Sequence, residues 1–140
     1  MRISDFQKKI QYNFKNQALL EEALTHSSYA NENKLPHDNE RLEFLGDSVL
    51  GFVTAEYLFE EFKNRPEGAL TKLRAAVVCE KSLFKFAEKI RLGEFILMGR
   101  GEEHTGGRNR PSIVSDAFEA VIAAMYLDGG IEVVKPYSLG

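Results

Sequence analysis

The chain has 140 residues, of which 44% are hydrophobic and 28% are charged, a composition typical of one globular domain. Its single cysteine excludes an internal disulfide, its three scattered histidines lack zinc-ligand spacing, and no apolar run reaches the roughly 20 residues of a membrane helix. Because the N-terminus also lacks a signal-peptide pattern, we expect a cytoplasmic location, and the net charge of −3 predicts weak binding of nucleic acid by this domain alone.

Apolar residues recur mostly at spacings of three and four, which predicts an all-α fold of about six or seven helices in one domain over residues 1–140. The predicted helices are, in chain order, a short one containing Phe6, Ile10 and Phe14, then Ala18–Ser27, a long helix from Asp38 or Asn39 to about Phe62, Glu67–Cys79, Lys81–Ile90, a helix capped by Ser112 and ending near Asp128, and one that begins at Ile131. We expect residues 31–37 and 99–110 to be loops, residues 94–98 to be short and extended, and Cys79 to lie in the core.

The long predicted helix carries acids on one side. At 100° per residue, Glu40, Glu43 and Asp47 share a sector roughly 60° wide. The predicted core face holds Leu42, Leu45, Val49, Phe52 and Val53. A solvated face is the usual explanation of such an acidic ridge, but no lysine offsets the repulsion between the three carboxylates. Phe44 lies beside the acids rather than on the core face, which indicates a partner surface.

A second pair of acids, Asp116 and Glu119, lies on a predicted helix that is apolar nearly all round. Buried carboxylates need an ion pair, a proton or a metal ion. One alternative is a salt bridge to Arg41 or Arg74. The other is a joint site formed with the acids of the long helix, where oxygen ligands favour Mg²⁺ or Mn²⁺ and suit metal-assisted hydrolysis of phosphodiesters.

Four segments together resemble the ribonuclease III family, in the family's order: residues 23–29 (ALTHSSY), 39–50 (NERLEFLGDSVL), 67–75 (EGALTKLRA) and 112–120 (SIVSDAFEA). The resemblance implies the all-α ribonuclease III endonuclease domain fold and a homodimer that holds double-stranded RNA. It also implies metal-dependent hydrolysis to 5′-phosphate and 3′-hydroxyl ends, in processing of ribosomal RNA precursors and other structured RNAs. We expect Mg²⁺ as the cofactor, with Mn²⁺ as a substitute.

The resemblance assigns roles position by position. Glu43, Asp47, Asp116 and Glu119 match the metal ligands, and Asp47 and Glu119 also match catalytic residues. Supporting acids are matched by Glu40 and Glu67, and an aromatic that enters the partner subunit is matched by Phe44. Ala69 departs from the family pattern, which often has an acid there. The double-stranded-RNA-binding domain that follows in most bacterial members is absent from this chain, and we expect a truncation.

Other features leave alternatives open. The glycine-rich stretch over 99–110 is either a plain flexible loop or a segment that contacts RNA phosphates through Arg100, Arg108 and Arg110. His26 is interpreted as a helix-end residue near RNA. The competing functions are an active endonuclease, a ribosome-associated binding module without cleavage, and an acidic protein-interaction domain.

Overall fold

The computed structural model describes residues 2–138, so Met1, Leu139 and Gly140, and with them the chain end on which the predicted truncation rests, lie outside the described residues. The helices are α1 (Arg2–Ile10), α2 (Gln17–Ala23), α3 (Ser27–Glu32), α4 (Glu40–Glu61), α5 (Glu67–Val77), α6 (Glu80–Lys89), α7 (Arg100–His104), α8 (Pro111–Gly129) and α9 (Ile131–Ser138), with 3₁₀ turns at Leu92–Phe95 and Gly107–Asn109.

The all-α prediction is confirmed. The predicted helix number was too low because α3 and α7 have only six and five residues, too few for a periodic apolar pattern. No helix within residues 2–138 is long and apolar enough to cross a membrane.

The segment between α2 and α3 is extended, although the second predicted helix continued to Ser27. Thr25 forms an isolated parallel bridge with Leu97. The extended segment predicted over residues 94–98 therefore begins only at Ile96, because Glu94 and Phe95 belong to a 3₁₀ turn. The Leu97 amide donates to the Leu24 carbonyl at 2.7 Å, and the Leu97 carbonyl accepts from the His26 amide at 2.9 Å. These bonds satisfy backbone groups that would otherwise continue α2, so the helix ends at Ala23.

Helix α8 forms the centre of the fold, and α4 packs along it. The prediction that α8 is apolar nearly all round and buried is confirmed over residues 117–125. It begins at Pro111 rather than after Ser112, because the fixed φ of proline suits the first helical position. At Gly46 the two backbones nearly touch, since an added Cβ would lie 1.8 Å from the Glu119 carbonyl oxygen. A glycine is therefore needed where the acidic turns of the two helices cross.

Two burial predictions were wrong. Leu42, Val49 and Val53 are buried, but Phe52 is 59% exposed because no element within residues 2–138 covers that side of α4. Cys79 is also exposed, because α5 ends at Val77 and the cysteine serves as the N-cap residue of α6 instead of lying inside a helix.

Candidate metal centre

Three carboxyl groups meet where α4 crosses α8. One oxygen from each of Glu43, Asp116 and Glu119 lies within 4.8 Å of the other two. Glu43 comes from the first turn of α4, and the other two acids are three residues apart on α8, one turn of the helix. Tight packing at Gly46 holds the two helices at the distance that this grouping requires.

Asp47 lies next to these three acids but is not part of the group whose oxygens all lie within 4.8 Å of one another. Its side chain shares a hydrogen bond with Glu119, and Glu43 shares one with Asp116. Two carboxyl groups can share a hydrogen bond only when one of them holds a proton. The four predicted acids are therefore neighbours that form two carboxyl pairs.

Burial and mutual repulsion make these acids hard to ionise. Glu119 is only 8% exposed, and burial, followed by its hydrogen bond and charge interaction with Asp47, raises its pKa to about 8. Burial, followed by the charge and hydrogen bond of Asp116, raises the pKa of Glu43 to about 7. Burial also raises the pKa of Asp116, although the hydrogen bond from Glu43 opposes this effect. A cation at this position would remove the cause of the repulsion.

The predicted alternative, a salt bridge from these acids to Arg41 or Arg74, is wrong. The ion pairs found within residues 2–138 involve neither Asp116 nor Glu119. Arg74 lines a groove between α4 and α5, and Arg41 lies at the surface. The donor set fits a hard divalent cation, because its carboxylate oxygens converge and no arginine or lysine in the described part of the chain forms an ion pair with them.

The supporting acids lie in different places. Glu40 is exposed in the first turn of α4 and, after burial and Asp116, its charge contributes to the raised pKa of Glu43. Glu67 is exposed at the start of α5 and lines the groove between α4 and α5, away from the cluster of this chain. Phe44 is 79% exposed. An aromatic ring this exposed beside an acidic cluster is suited to contact with another surface.

The three predicted RNA-contacting arginines have different environments. Arg108 pairs with Glu103 and donates to the carbonyl oxygens of Gly93 and Ile96, at 3.0 and 2.7 Å. Arg110 pairs with Glu102. The Arg100 side chain is exposed and forms no ion pair with any residue that the structure describes. RNA contact stays a prediction for all three, and the stretch is folded rather than a plain loop.

Two further residues near the cluster were missed by sequence reasoning. The charge of Glu80, in the first turn of α6, raises the pKa of Asp116, and that of His26 lowers it, both after burial and the bond to Glu43. Glu80 is 36 residues away from Asp116 in sequence, and no periodic pattern links the two. His26 did stand out in sequence, but as a residue near RNA.

Comparison with known proteins agrees with this geometry. The Ribonuclease-III-like family model matches residues 16–138. Ribonuclease 3 from Clostridium tetani is 58% identical over 139 residues, which cover 99% of this chain and 59% of that protein. Ribonuclease 3 from Geobacillus thermodenitrificans is 55% identical over 135 residues, which cover 95% of this chain and 55% of that protein. The chain belongs to the ribonuclease III family.

Solved structures give the same result for the fold. The nuclease domain of ribonuclease III from Campylobacter jejuni, described for its flexibility in a region involved in dimer formation, is 50% identical with a TM-score of 0.91. The match covers 98% of this chain and 93% of that one. This confirms the predicted ribonuclease III endonuclease domain fold. The chain spans less than three-fifths of the length of the curated relatives named above.

Proposed function

We propose that this domain is a metal-dependent endoribonuclease that hydrolyses phosphodiester bonds of double-stranded RNA, leaving 5′-phosphate and 3′-hydroxyl ends. The observation that carries the proposal is the convergence of Glu43, Asp116 and Glu119 within 4.8 Å. The relatives named Ribonuclease 3 support the substrate class. Processing of ribosomal RNA precursors and other structured RNAs in the cytoplasm is the setting that we propose.

The four acids have distinct tasks in this proposal. Glu43, Asp116 and Glu119 hold the cation, Mg²⁺ or in its place Mn²⁺, which when bound activates water and stabilises charge on phosphate oxygens. Asp47 shares a hydrogen bond with Glu119 and fixes its orientation toward the scissile phosphate. Glu119 is held in turn by the backbone contact at Gly46. Because the acids must lose their protons to bind the ion, we expect activity to fall in acid and to vanish with a chelator.

We also propose a homodimer. Helix α5 contributes no buried residue to this chain, and the groove between α4 and α5 is lined by apolar side chains that include Phe52, 59% exposed, and Phe59, 72% exposed. Phe44 continues the exposed aromatic surface of α4. A second copy would cover these rings, and Glu67, which lines the same groove, would then lie at the interface. Sedimentation of the parent and of Phe59→Asp tests this, and we expect the variant to dissociate.

Cleavage of a long perfect RNA duplex tests the activity most simply. The parent is assayed with Mg²⁺ at low salt, because a lone catalytic domain of net charge −3 binds RNA weakly. Glu119→Gln removes one ligand charge, and Glu88→Gln, an exposed acid on α6, is the matched control. We expect cleavage by the parent and the control, and none by Glu119→Gln or with a chelator. A folded parent dimer that stays inactive with Mg²⁺ and Mn²⁺ would favour a binding module instead.

A further inference from the structure

A group of hydrogen bonds joins the segment between α1 and α2 to the end of α8. The Tyr12 hydroxyl donates to Asp128 Oδ2 at 2.5 Å. The backbone amides of Lys15 and Asn16 donate to Asp128 Oδ2 and Oδ1, each at 2.9 Å. Although burial opposes the effect, these three donors hold the pKa of Asp128 below its ordinary value. We call these four residues the Asp128 anchor.

Tyr12 fits closely against the end of α8. An added Cβ at Gly129 would lie 2.5 Å from the Tyr12 hydroxyl oxygen, so only a glycine leaves room for this hydroxyl. The Tyr12 ring packs edge-on against Phe14 of the core, with 5.1 Å between the ring centroids. Burial, followed by the hydrogen bond and the charge of Asp128, raises the pKa of Tyr12 to about 12. The hydroxyl therefore keeps its hydrogen and donates it to Asp128 at neutral pH.

Residues on both sides of Asp128 form walls of two surface hollows beside the exposed rings of α4. Leu127 lines a hollow of about 630 Å³ next to Phe44, the Phe44 hollow. A second hollow of about 560 Å³, the Phe52 hollow, lies next to Phe52. Its walls from the end of α8 and the start of α9 are Tyr126, Gly130 and Ile131. The anchor thus holds residues 126–131 at a point between the two hollows.

Helix α2 forms another wall of the Phe44 hollow and begins at the anchor. Leu19 and Glu22 of this helix line the hollow. Asn16 caps α2, because its side chain accepts from the Ala18 amide at 3.1 Å while its own amide donates to Asp128. The anchor therefore fixes α2 relative to the end of α8, and with it the width of the Phe44 hollow.

We propose that the Asp128 anchor positions the surface on which a second copy of this chain docks, since it holds α2 and residues 126–131 as walls of the two hollows. This role rests on the homodimer proposed above and deepens it. In a twofold pair each copy presents the same surface to the other, so apolar hollows and exposed rings meet their counterparts. The bonds of the anchor all lie within one chain, so its residues act through the walls that they hold.

Tyr12→Phe removes the hydroxyl bond and keeps the ring. The matched control is Tyr29→Phe on α3, where no hydrogen bond of the hydroxyl is found within residues 2–138. Sedimentation over a range of concentrations measures the Kd of the dimer, at a temperature at which circular dichroism shows all variants to be folded. A bond that only stabilised the fold would leave the Kd between folded copies unchanged.

We expect Tyr12→Phe to raise the Kd of the dimer about three- to tenfold, because loss of one hydrogen bond changes an equilibrium constant by up to about tenfold. Tyr29→Phe should dimerise with the Kd of the parent. A dimeric parent whose Kd is unchanged in Tyr12→Phe would overturn the role of the anchor alone. A parent that sediments as a monomer at every concentration would instead contradict the proposed homodimer, and the role of the anchor would fall with it.

Hydrogen exchange tests the same coupling from the other direction. Because coupling between two sites is reciprocal, dimer formation must stabilise the anchor by the factor by which the anchor stabilises the dimer. Phe59→Asp serves as the dissociated form, since Phe59 lines the groove between α4 and α5 and neither of the two hollows.

In Phe59→Asp the amides of Lys15 and Asn16 should exchange about three to ten times faster than in the dimeric parent. The Gly99 amide is the internal control, because it also donates to a side chain, Ser28 Oγ at 2.9 Å, and lies outside the anchor. Its exchange rate should match that of the parent. Equal rates for the anchor amides in the dimer and in the dissociated form would overturn the coupling.

Discussion

Two charged regions of this molecule treat their carboxylates in opposite ways. At α7 and the segment that follows it, Glu103 is paired with Arg108 at 2.8 Å and Glu102 is paired with Arg110. The hydrogen bond and the charge of Arg108 lower the pKa of Glu103. At the crossing of α4 and α8, burial and neighbouring acids raise the pKa of Glu119 to about 8.

The difference is whether an arginine of the same chain neutralises the carboxylates. The paired acids stabilise a short irregular segment, and they need nothing from solution. The acid cluster contains no arginine or lysine partner within the described residues, although 18 such residues are present in the sequence. Crowding buried carboxylates without a cation costs folding free energy, and this cost is the reason for proposing a cation that binds from outside.

The largest effect should come from separating the two helices that form the cluster. In Gly46→Ala the new methyl group would overlap the Glu119 carbonyl oxygen, so α4 and α8 must move apart. We expect a loss of more than about 3 kcal/mol in the free energy of unfolding, above the usual range for overpacking because backbone atoms clash. Urea unfolding measures it.

Gly51→Ala is the matched control for this variant. Gly51 also lies in α4, but an added Cβ meets nothing within 4 Å. Alanine is the better helix former by about 1 kcal/mol, so this variant should be slightly more stable than the parent. Equal destabilisation by both substitutions would contradict the close approach at Gly46.

The second-largest expected effect is the change of stability with pH in the metal-free protein. The pKa of Glu119 is about 8 in the folded chain against an ordinary value of 4.5. Between pH 4.5 and pH 8, Glu119 therefore holds a proton in the folded chain that it has lost in the unfolded chain. Its contribution to stability is therefore fully present below pH 4.5 and is lost as the pH rises to about 8. We expect the melting temperature of the metal-free parent to fall over this range.

Glu119→Gln should weaken this dependence, because the amide cannot ionise. At pH 8 the metal-free variant should melt at a higher temperature than the parent, and Mg²⁺ should raise the melting temperature of the parent only. A metal-free parent that becomes more stable from pH 5 to pH 8 would show that the acids are not crowded as described.

Sequence reasoning predicted the four acids because helical spacing and apolar surroundings are local properties. It could not predict the contact at Gly46, since the partner backbone at Glu119 is 73 residues away. Phe52 was placed in the core because a helical wheel shows an apolar side but not whether another element covers it. The ion pairs of Arg108 with Glu103 and of Arg110 with Glu102 were missed for a related reason. They depend on the irregular path of the chain between α7 and α8.

A smaller effect is expected from the arginines. Arg108→Ala removes a guanidinium that donates to the Gly93 and Ile96 carbonyls, and we expect a loss of about 1–3 kcal/mol in the free energy of unfolding. From pH 5 to pH 8 the metal-free pH dependence should stay close to that of the parent, because Arg108 is not part of the acid cluster and the pKa of Glu103, which it lowers, lies below this range. Thermal unfolding at pH 5 and pH 8 checks both statements, and a changed pH dependence would contradict the separation of the two regions.

The smallest effect belongs to Arg100, whose side chain is exposed and has no ion pair within residues 2–138. If it contacts a phosphate, Arg100→Ala should reduce the salt slope of RNA binding by about one and leave stability unchanged. Binding of a duplex to the parent and the variant over a range of salt concentrations measures the slope. Identical slopes would remove Arg100 from the RNA surface.

The most direct test of the account is the position of a bound cation. Crystals grown with Mn²⁺ at pH 8 would reveal the ion by its anomalous diffraction. We predict a peak at the crossing of α4 and α8, bound by oxygens of Glu43, Asp116 and Glu119, which lie within 4.8 Å of one another. A structure with Mn²⁺ in the crystal but no peak at these acids, and with the two carboxyl pairs still hydrogen-bonded, would contradict the claim that the cluster is a metal centre.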